Sequence, residues 1–157
     1  MKFFEIGKVF KKGQDQVTEE LHLAALSFGP VFTKQWDLDS KEGDFFDMKA
    51  NLTSVLTAIC DVKLDFVKGE KSGLHPGQTA LIFVEGCEVG IIGGIHPKVL
   101  NQIGINGKVL FFEVNIDLLG LERAKEYVPV SRFPSVTRDI SVLVGKSVSA
   151  QQCLSAI

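Results

Sequence analysis

Apolar residues recur along the first half of the chain at spacings that predict its strands. Residues 3–10 are rich in aromatic and β-branched side chains and end at a Lys-Lys-Gly turn, so they predict a strand. Residues 21–28 form a second apolar run before Gly29-Pro30, which indicates a buried strand, although the spacing also permits a helix. In residues 62–66 apolar and charged side chains alternate, as they do in a half-buried strand.

Residues 45–60 predict the clearest helix of the chain. Their apolar side chains recur at steps of three and four, which places them on one face of a helix. These side chains are Phe45, Met48, Leu52, Val55, Leu56 and Ile59. Asp44 is the predicted N-cap, and Asp47 adds negative charge in the first turn, where the helix dipole favours it.

The residues after this helix predict a hairpin. Residues 68–78 are polar and rich in turn-forming residues, so we expect a loop there. Residues 80–85 and 89–95 are apolar runs on either side of Gly86-Cys87-Glu88, which predicts two paired strands.

A short helix and a further strand complete this region. Pro97 suits the first position of a helix, and Gly104 suits the residue that stops it. Residues 109–114 predict another strand. Together the elements predict an α+β fold, with a mainly antiparallel sheet and flanking helices.

The chain changes character near residue 122. Residues 122–130 are charged and contain proline, which predicts a linker between a domain of residues 1–121 and a segment of residues 131–157. In that segment residues 138–144 predict a strand. A capping box formed by Ser149 and Gln152 predicts a helix whose apolar face begins with Cys153, Leu154 and Ile157. A strand and half a helix bury no core, so we expect the second domain to be truncated.

Composition is that of a soluble globular protein, with 45% hydrophobic and 23% charged residues. No apolar run approaches the roughly 20 residues that span a bilayer, and no apolar run of a signal peptide follows Met1. Three cysteines, Cys60, Cys87 and Cys153, are far apart and odd in number. This argues against a disulfide framework and predicts a reducing, cytoplasmic location without a membrane.

Charge is distributed unevenly. Residues 1–122 carry 12 lysines and 17 acidic residues, a balance of −5, whereas residues 123–157 carry five basic and two acidic residues, a balance of +3. Arginine binds phosphates and stacks on unpaired bases, so Arg132 and Arg138, with Lys146 as a weaker candidate, are the predicted RNA contacts. A solvated basic surface, or a structural pair of Arg138 with Asp139, is the alternative.

The first 122 residues predict no catalytic residue. They contain no arginine to grip a triphosphate and no Gly-x-x-x-x-Gly-Lys-Ser/Thr loop. We interpret His75-Pro76 and His96-Pro97 as turns. A zinc site with Cys60 and Cys87 is disfavoured because the chain has no Cys-x-x-Cys pair, so no metal site is predicted.

Glycines and paired phenylalanines offer structural interpretations. Gly86, Gly90, Gly93 and Gly94 lack the Gly-x-Gly-x-x-Gly spacing and instead predict a bulge or the close approach of another chain. Adjacent strand residues point to opposite faces, so Phe3-Phe4 and Phe111-Phe112 predict a sheet covered on both faces. The cover is either this chain itself or a partner subunit.

Five segments of the sequence then carry a family resemblance: residues 2–10 (KFFEIGKVF), 44–49 (DFFDMK), 73–78 (GLHPGQ), 93–97 (GGIHP) and 130–140 (VSRFPSVTRDI). In this order they resemble successive segments of the bacterial phenylalanyl-tRNA synthetase beta chain. The resemblance implies an α2β2 tetramer that attaches phenylalanine to its tRNA with ATP and magnesium. It also implies a module with the class II synthetase core fold but no active site, followed by the start of a ferredoxin-fold anticodon-binding domain.

The resemblance favours the partner as the cover of the phenylalanine pairs. Phe3, Phe4, Phe111 and Phe112 are therefore candidates for contact with the catalytic alpha subunit, and Arg132, Arg138 and Lys146 for contact with tRNA(Phe). The resemblance implies a part of the enzyme without catalytic residues or cofactors of its own, ATP and Mg²⁺ belonging to the whole enzyme. The alternative is an autonomous α+β module that binds a small molecule or a protein without RNA, and a metal-dependent hydrolase has little support.

Overall fold

A computed structural model describes residues 1–13, 16–59, 62–120, 127 and 129–156, without the side chains of Gln151 and Ser155. The chain divides into two compact units, Met1–Glu126 and Tyr127–Ile157. Most of the predicted linker, residues 122–126 and 128, lies outside the described residues, as do Cys60 and Ile157. The predicted domain bounds stay a prediction.

Unit 1 is built on one six-stranded sheet with the strand order β1-β2-β6-β5-β4-β3. The strands are β1 (Lys2–Lys12), β2 (Val17–Phe28), β3 (Leu64–Lys68), β4 (Leu74–Val84), β5 (Cys87–Ile95) and β6 (Val109–Asn115). Every neighbouring pair is antiparallel, and β1 and β3 are the edge strands. Helix α1 (Phe45–Ile59), helix α2 (Pro97–Gln102) and a 3₁₀ turn (Ile116–Leu118) connect them. The predicted α+β class with a mainly antiparallel sheet is confirmed.

The ambiguous run at residues 21–28 is a strand. Leu23 of β2 lies opposite Ile6 of β1 on one side and Val114 of β6 on the other. The prediction of a loop across residues 68–78 is wrong at its end, because β4 already begins at the buried Leu74, opposite Ile95. The register then shifts before Thr79, so the polar residues that indicated a loop form an irregularity within a strand.

The predicted hairpin between β4 and β5 is confirmed, with its turn earlier than expected. The turn residues are Glu85 and Gly86, with φ angles of 49° and 81°. Two central residues with positive φ define the turn that matches the twist of a hairpin. Gly86 adopts a positive φ angle at no steric cost. Glu85 adopts one although it has a Cβ atom.

Two glycines of β5 allow the close approach that the sequence predicts. A Cβ atom on Gly90 would lie 2.2 Å from the backbone oxygen of Glu113 on β6. A Cβ atom on Gly93 would lie 2.7 Å from the backbone oxygen of Gln78 on β4. The backbone that approaches each glycine belongs to a neighbouring strand of the same sheet. These glycines therefore allow close strand packing within unit 1.

Helix α1 begins where the sequence predicts. The backbone N–H groups of Phe46 and Asp47 donate to Oδ1 of Asp44 at 2.8 and 3.0 Å, and the N–H of Asp44 donates to Oδ2 of Asp47 at 2.8 Å. This backbone hydrogen bond, assisted by Lys41, lowers the pKa of the Asp47 carboxyl. The reciprocal pair satisfies N–H groups that a helix start otherwise leaves without partners.

The core of unit 1 lies between α1 and one face of the sheet, which we call the helix face. α1 buries Met48, Leu52 and Leu56. The sheet contributes side chains from five strands, Leu23, Ala80, Ile82, Val84, Val89, Ile92, Leu110, Phe112 and Val114, with Leu64 and Phe66 partly buried. α1 packs mainly against the central strands β5 and β6.

Unit 2 contains one described helix, α3 (Ala150–Ala156). Its predicted capping box is confirmed: the N–H of Ser149 donates to Oε1 of Gln152 at 2.8 Å, and the N–H of Gln152 donates to Oγ of Ser149 at 3.3 Å. The predicted strand at residues 138–144 is wrong, because these residues are exposed and form no strand. The described part of unit 2 offers no second strand with which they could pair.

Candidate interaction surfaces

An apolar groove runs along unit 1 where α1 ends its cover of the sheet. The sheet rows that form its floor are set by strand register: Phe4 lies opposite Ala25, and Ala25 lies opposite Phe112. Because directly paired residues share a face, all three point to the helix face. In the next row Ile6 lies opposite Leu23. We call the space between these rows and α1 the apolar groove.

The apolar groove has a volume of about 550 Å³. Its walls are Phe4 and Ile6 of β1 and Val55 and Ile59 of α1. Phe4 is 76% exposed, and the other three are between 43% and 57% exposed. Charge enters the lining only at Lys2, among the residues that the structure describes. Contiguous exposed apolar surface of this kind makes the groove a candidate binding surface.

The phenylalanine pairs occupy opposite faces, as expected for neighbours in a strand. Phe112 is 4% exposed beneath α1, and Phe4 is on the same face without cover. Phe3 and Phe111 are on the opposite face, in one row with Leu26 between them. Phe3 is 56% exposed and Phe111 is half-buried. Burial within this chain therefore explains Phe112, and the role of the four residues in a subunit interface stays a prediction.

A polar network on the face opposite α1 escapes sequence analysis. His22 Nδ1 lies 2.7 Å from Oε1 of Glu113, and its Nε2 lies 3.0 Å from Oε2 of Glu20. Oε2 of Glu20 also accepts from Nζ of Lys11 at 2.7 Å and from Nδ2 of Asn115 at 2.8 Å. The hydrogen bond from Lys11, and after it the one with His22, lowers the pKa of the Glu20 carboxyl.

The network connects β1, β2 and β6, and it contains no nucleophile that it would activate. A signal for it does exist in the sequence, since Thr18, Glu20 and His22 alternate with other residues of β2 and therefore share a face. Their partner Glu113 is 91 residues away in sequence from His22, so only the β2–β6 pairing reveals the cluster.

The two His-Pro pairs shape the backbone, which agrees with their interpretation as structural. Nδ1 of His96 accepts from the N–H of Lys98 at 3.1 Å and caps α2, with Pro97 as the first helical residue. Nδ1 of His75 accepts from the N–H of Gly77 at 3.1 Å within the irregular part of β4. The two imidazole rings stack with their centroids 6.4 Å apart, a contact that the sequence does not predict.

No three His, Cys, Asp or Glu side chains come together to hold a metal ion in the described ranges of the chain. Cys87 is a free, exposed thiol, and Cys60 lies outside the described residues, so the prediction that these two cysteines hold no zinc stays a prediction. Within the same ranges, no helix has the length and apolar character to cross a membrane.

The three basic candidates of unit 2 are exposed. Arg132 and Arg138 precede α3, as does Lys146. Among the residues that the structure describes, none of the three forms an ion pair, so the alternative of a structural pair between Arg138 and Asp139 receives no support. Their role as tRNA contacts stays a prediction.

Comparison with known proteins gives the chain a family. Its sequence is 34% identical over 152 residues to the phenylalanine–tRNA ligase beta subunit of Legionella pneumophila, which covers 97% of this chain and 19% of that protein. It is 35% identical over 158 residues to the subunit of that name from Francisella tularensis, covering 100% and 20%. The chain thus spans about a fifth of the length of these curated relatives.

The family profile described as the phenylalanyl tRNA synthetase beta chain CLM domain matches residues 1–116. That range contains all six strands, α1 and α2, and therefore both the apolar groove and the polar network. The chain belongs to the phenylalanyl-tRNA synthetase beta chain family.

Proposed function

We propose that this chain is a non-catalytic part of the beta subunit of phenylalanine–tRNA ligase. In this proposal unit 1 is a scaffold that binds the catalytic alpha subunit, and unit 2 helps to position tRNA(Phe). The enzyme as a whole is a cytoplasmic α2β2 ligase of class II that attaches phenylalanine to its tRNA in protein biosynthesis. The relatives named above support the subunit, and the chain's own surfaces support the division of roles.

The apolar groove is the observation that carries the scaffold role. Its walls are largely exposed side chains of β1 and α1, and burying them in water-free contact is favourable by about 25 cal/mol per Å². An obligate subunit interface resembles a protein core cut in half, and this groove has such a composition. Phe4, on the edge strand β1, is one of these walls, and Phe3 precedes it in the same strand.

The absence of chemistry rests on the residues of unit 1. ATP and Mg²⁺ belong to the whole enzyme in this proposal. Arginine forks are the usual grip on a triphosphate, and residues 1–122 contain no arginine. The residues of this range therefore do not fit an adenylate-forming site, and in this proposal the chain takes no part in the chemical step.

The fold assignment in this proposal is a class II-like core followed by the start of a ferredoxin-like domain. The antiparallel six-stranded sheet with α1 on one face is compatible with the first part. The proposal of a ferredoxin-like start rests on one described element, helix α3.

The tRNA role rests on the exposed basic residues of unit 2. Arg132, Arg138 and Lys146 are free to meet phosphates. Replacing both arginines with alanine in a full-length beta subunit should weaken tRNA binding, most visibly at low salt. Unchanged affinity at low salt would remove these residues from the interface.

Complex formation tests the scaffold role. The chain is mixed with separately purified alpha subunit and analysed by gel filtration with light scattering. We expect a stable complex, and we expect Phe4→Asp and Ile59→Asp, one on each groove wall, to weaken it. Phe10→Asp is the matched control, because Phe10 is an exposed residue of the same strand outside the groove. A complex insensitive to both groove substitutions would place the interface elsewhere.

The groove volume also fits the second candidate function, a module that binds a small apolar molecule. Small-molecule sites measure roughly 300–1,000 Å³, and the groove lies within that range. The two functions separate in the experiment above. The small-molecule site would be favoured by two results together. Neither the chain nor a full-length beta subunit would bind the alpha subunit, and an apolar dye would stabilise the chain against unfolding.

A further inference from the structure

A second cleft lies beside the first turn of α1, whereas the apolar groove includes Val55 and Ile59 near the end of that helix. It has a volume of about 500 Å³ and lies between the start of α1 and residues of β3, β4 and the segment before β6. Its lining contains Lys49, Lys68 and Lys108. We call this space the lysine cleft.

The lysine cleft carries an excess of positive charge. In the part of the chain that the structure describes, Lys49, Lys68 and Lys108 form no ion pair. Asp44 is the acidic residue of the lining, and its Oδ1 already accepts two backbone N–H groups of α1. Three lysines against one carboxylate leave the lining with a net positive charge, which favours an anionic ligand.

Aromatic surface accompanies the charge. Phe46 is 73% exposed, and its ring meets Phe45 edge to face at 5.6 Å between centroids. Nζ of Lys49 lies 4.3 Å from the centroid of the Phe66 ring, which holds this cation at the wall of the cleft. Gln78 adds an amide to the lining.

Cations and an exposed ring in one cleft match the chemistry of a single-stranded nucleic acid. Its phosphates attract lysines, and its unpaired bases stack on aromatic side chains, each stacked base contributing about 1–3 kcal/mol. An acidic peptide would use the lysines but would leave Phe46 without a partner of matching shape. The two features together therefore favour a nucleotide chain.

We propose that the lysine cleft binds a segment of single-stranded RNA, with its phosphates on Lys68 and Lys108 and one base on Phe46. The choice of RNA rests on the proposed function, since the relatives are named for their action with tRNA. Every residue of the cleft belongs to unit 1, whereas Arg132 and Arg138 belong to unit 2.

Binding of a labelled single-stranded oligoribonucleotide of about ten nucleotides to the whole chain tests the proposal. Fluorescence anisotropy gives the binding constant K over a range of salt concentrations, for the unsubstituted chain and for the double variant Lys68→Gln/Lys108→Gln. Removing one lysine–phosphate pair should lower the slope of log K against log salt by about 0.7, so the double variant should show a slope lower by about 1.4. Lys63→Gln/Lys98→Gln is the matched control, because both lysines are exposed and outside the cleft.

Phe46→Ala tests the stacking contact in the same assay. We expect affinity to fall by a factor of about five or more, the effect of removing the ring beneath one stacked base. Phe10→Ala is its control, another exposed phenylalanine on unit 1 but outside the cleft. Circular dichroism of each variant establishes that it is folded. Equal behaviour of the cleft variants and their controls would overturn the proposal.

Arg132→Ala/Arg138→Ala in the same assay separates the two RNA hypotheses. Loss of binding in the arginine variant alone would support unit 2 and overturn the lysine cleft. Loss in the cleft variants alone would support the cleft and count against the arginines. Partial, additive losses in both would support two independent contacts, since sites without shared partners act additively.

Discussion

Phe4 and Phe112 lie in one row of the sheet, on the same face, with Ala25 of β2 between them. Phe112 is 4% exposed and Phe4 is 76% exposed. The difference follows from the width of a helix. A helix with its side chains is about 10 Å across, and strands are about 4.8 Å apart, so α1 covers two or three strands of a six-stranded sheet.

The comparison teaches that an apolar side chain is buried by its position in the sheet and not by its residue type. β5 and β6 lie beneath α1, whereas β1 lies beyond it at the edge. The uncovered strands keep an apolar face nonetheless. A face that the described part of unit 1 does not cover, but that keeps its apolar residues, is the physical basis of the scaffold proposal.

The largest expected contrast comes from truncating the two rings. Phe112→Ala should lower the free energy of unfolding by about 3–5 kcal/mol, because it leaves a cavity beneath α1. Phe4→Ala in the isolated chain should change it by less than about 0.5 kcal/mol, because the ring already contacts water. Chemical denaturation measures both, and similar losses would show that β1 is covered in solution.

The two sides of α1 give the next contrast. Leu52 is fully buried and Val55 is 43% exposed at the groove wall. Leu52→Ala should cost about 2–5 kcal/mol of unfolding free energy, and Val55→Ala less than about 1 kcal/mol. Denaturation of the isolated chain checks this, and a larger loss for Val55 would contradict the orientation of the helix.

A smaller effect is expected at the start of α1. Asp44→Ala removes the acceptor for the N–H groups of Phe46 and Asp47, which should cost about 1 kcal/mol of stability. Asp39→Ala, an exposed loop substitution, is the control. Thermal unfolding followed by circular dichroism distinguishes the two, and equal melting temperatures would show that the cap is dispensable.

The smallest effect concerns the polar network opposite α1. The pKa of Glu20 in the folded chain is held below its ordinary value of 4.5 by Lys11 and His22. Its stabilising contribution is therefore complete above the unfolded pKa and is lost as the pH falls through the lower, folded pKa. Glu20→Gln should flatten the pH dependence of stability below pH 4.5, whereas Glu70→Gln, an exposed control, should not.

Local signals predicted the elements of unit 1 well. The N-cap at Asp44, the β4–β5 hairpin and the helix start at Pro97 each depend on a few neighbouring residues, and sequence displays these directly. The strand predicted at residues 138–144 failed for the opposite reason. Alternation of apolar residues favours a strand, but a strand forms only when a partner is present to pair with it.

The candidate surfaces were harder to predict because they depend on strand order. The apolar groove needs β1 and β2 beside β6, and no local pattern specifies that β6 separates β2 from β5. The phenylalanine pairs gave the correct alternation of faces without showing which ring is covered. The lysine cleft likewise combines Lys49, Lys68 and Lys108, which are far apart in sequence and meet only in the folded chain.

Strand β1 has one further consequence, for solubility. Its outer side is an unpaired sheet edge of 11 residues, and such an edge is a template on which another chain can add a strand. Four lysines, at positions 2, 8, 11 and 12, lie along this edge. Lys8 and Lys11 form ion pairs with Glu19 and Glu20. Within the described residues, Lys2 and Lys12 are therefore the lysines of this edge whose charges would repel those of a second edge and oppose assembly into fibres. Neutralising them by acetylation would remove that protection and leave the phenylalanines of β1 to drive aggregation.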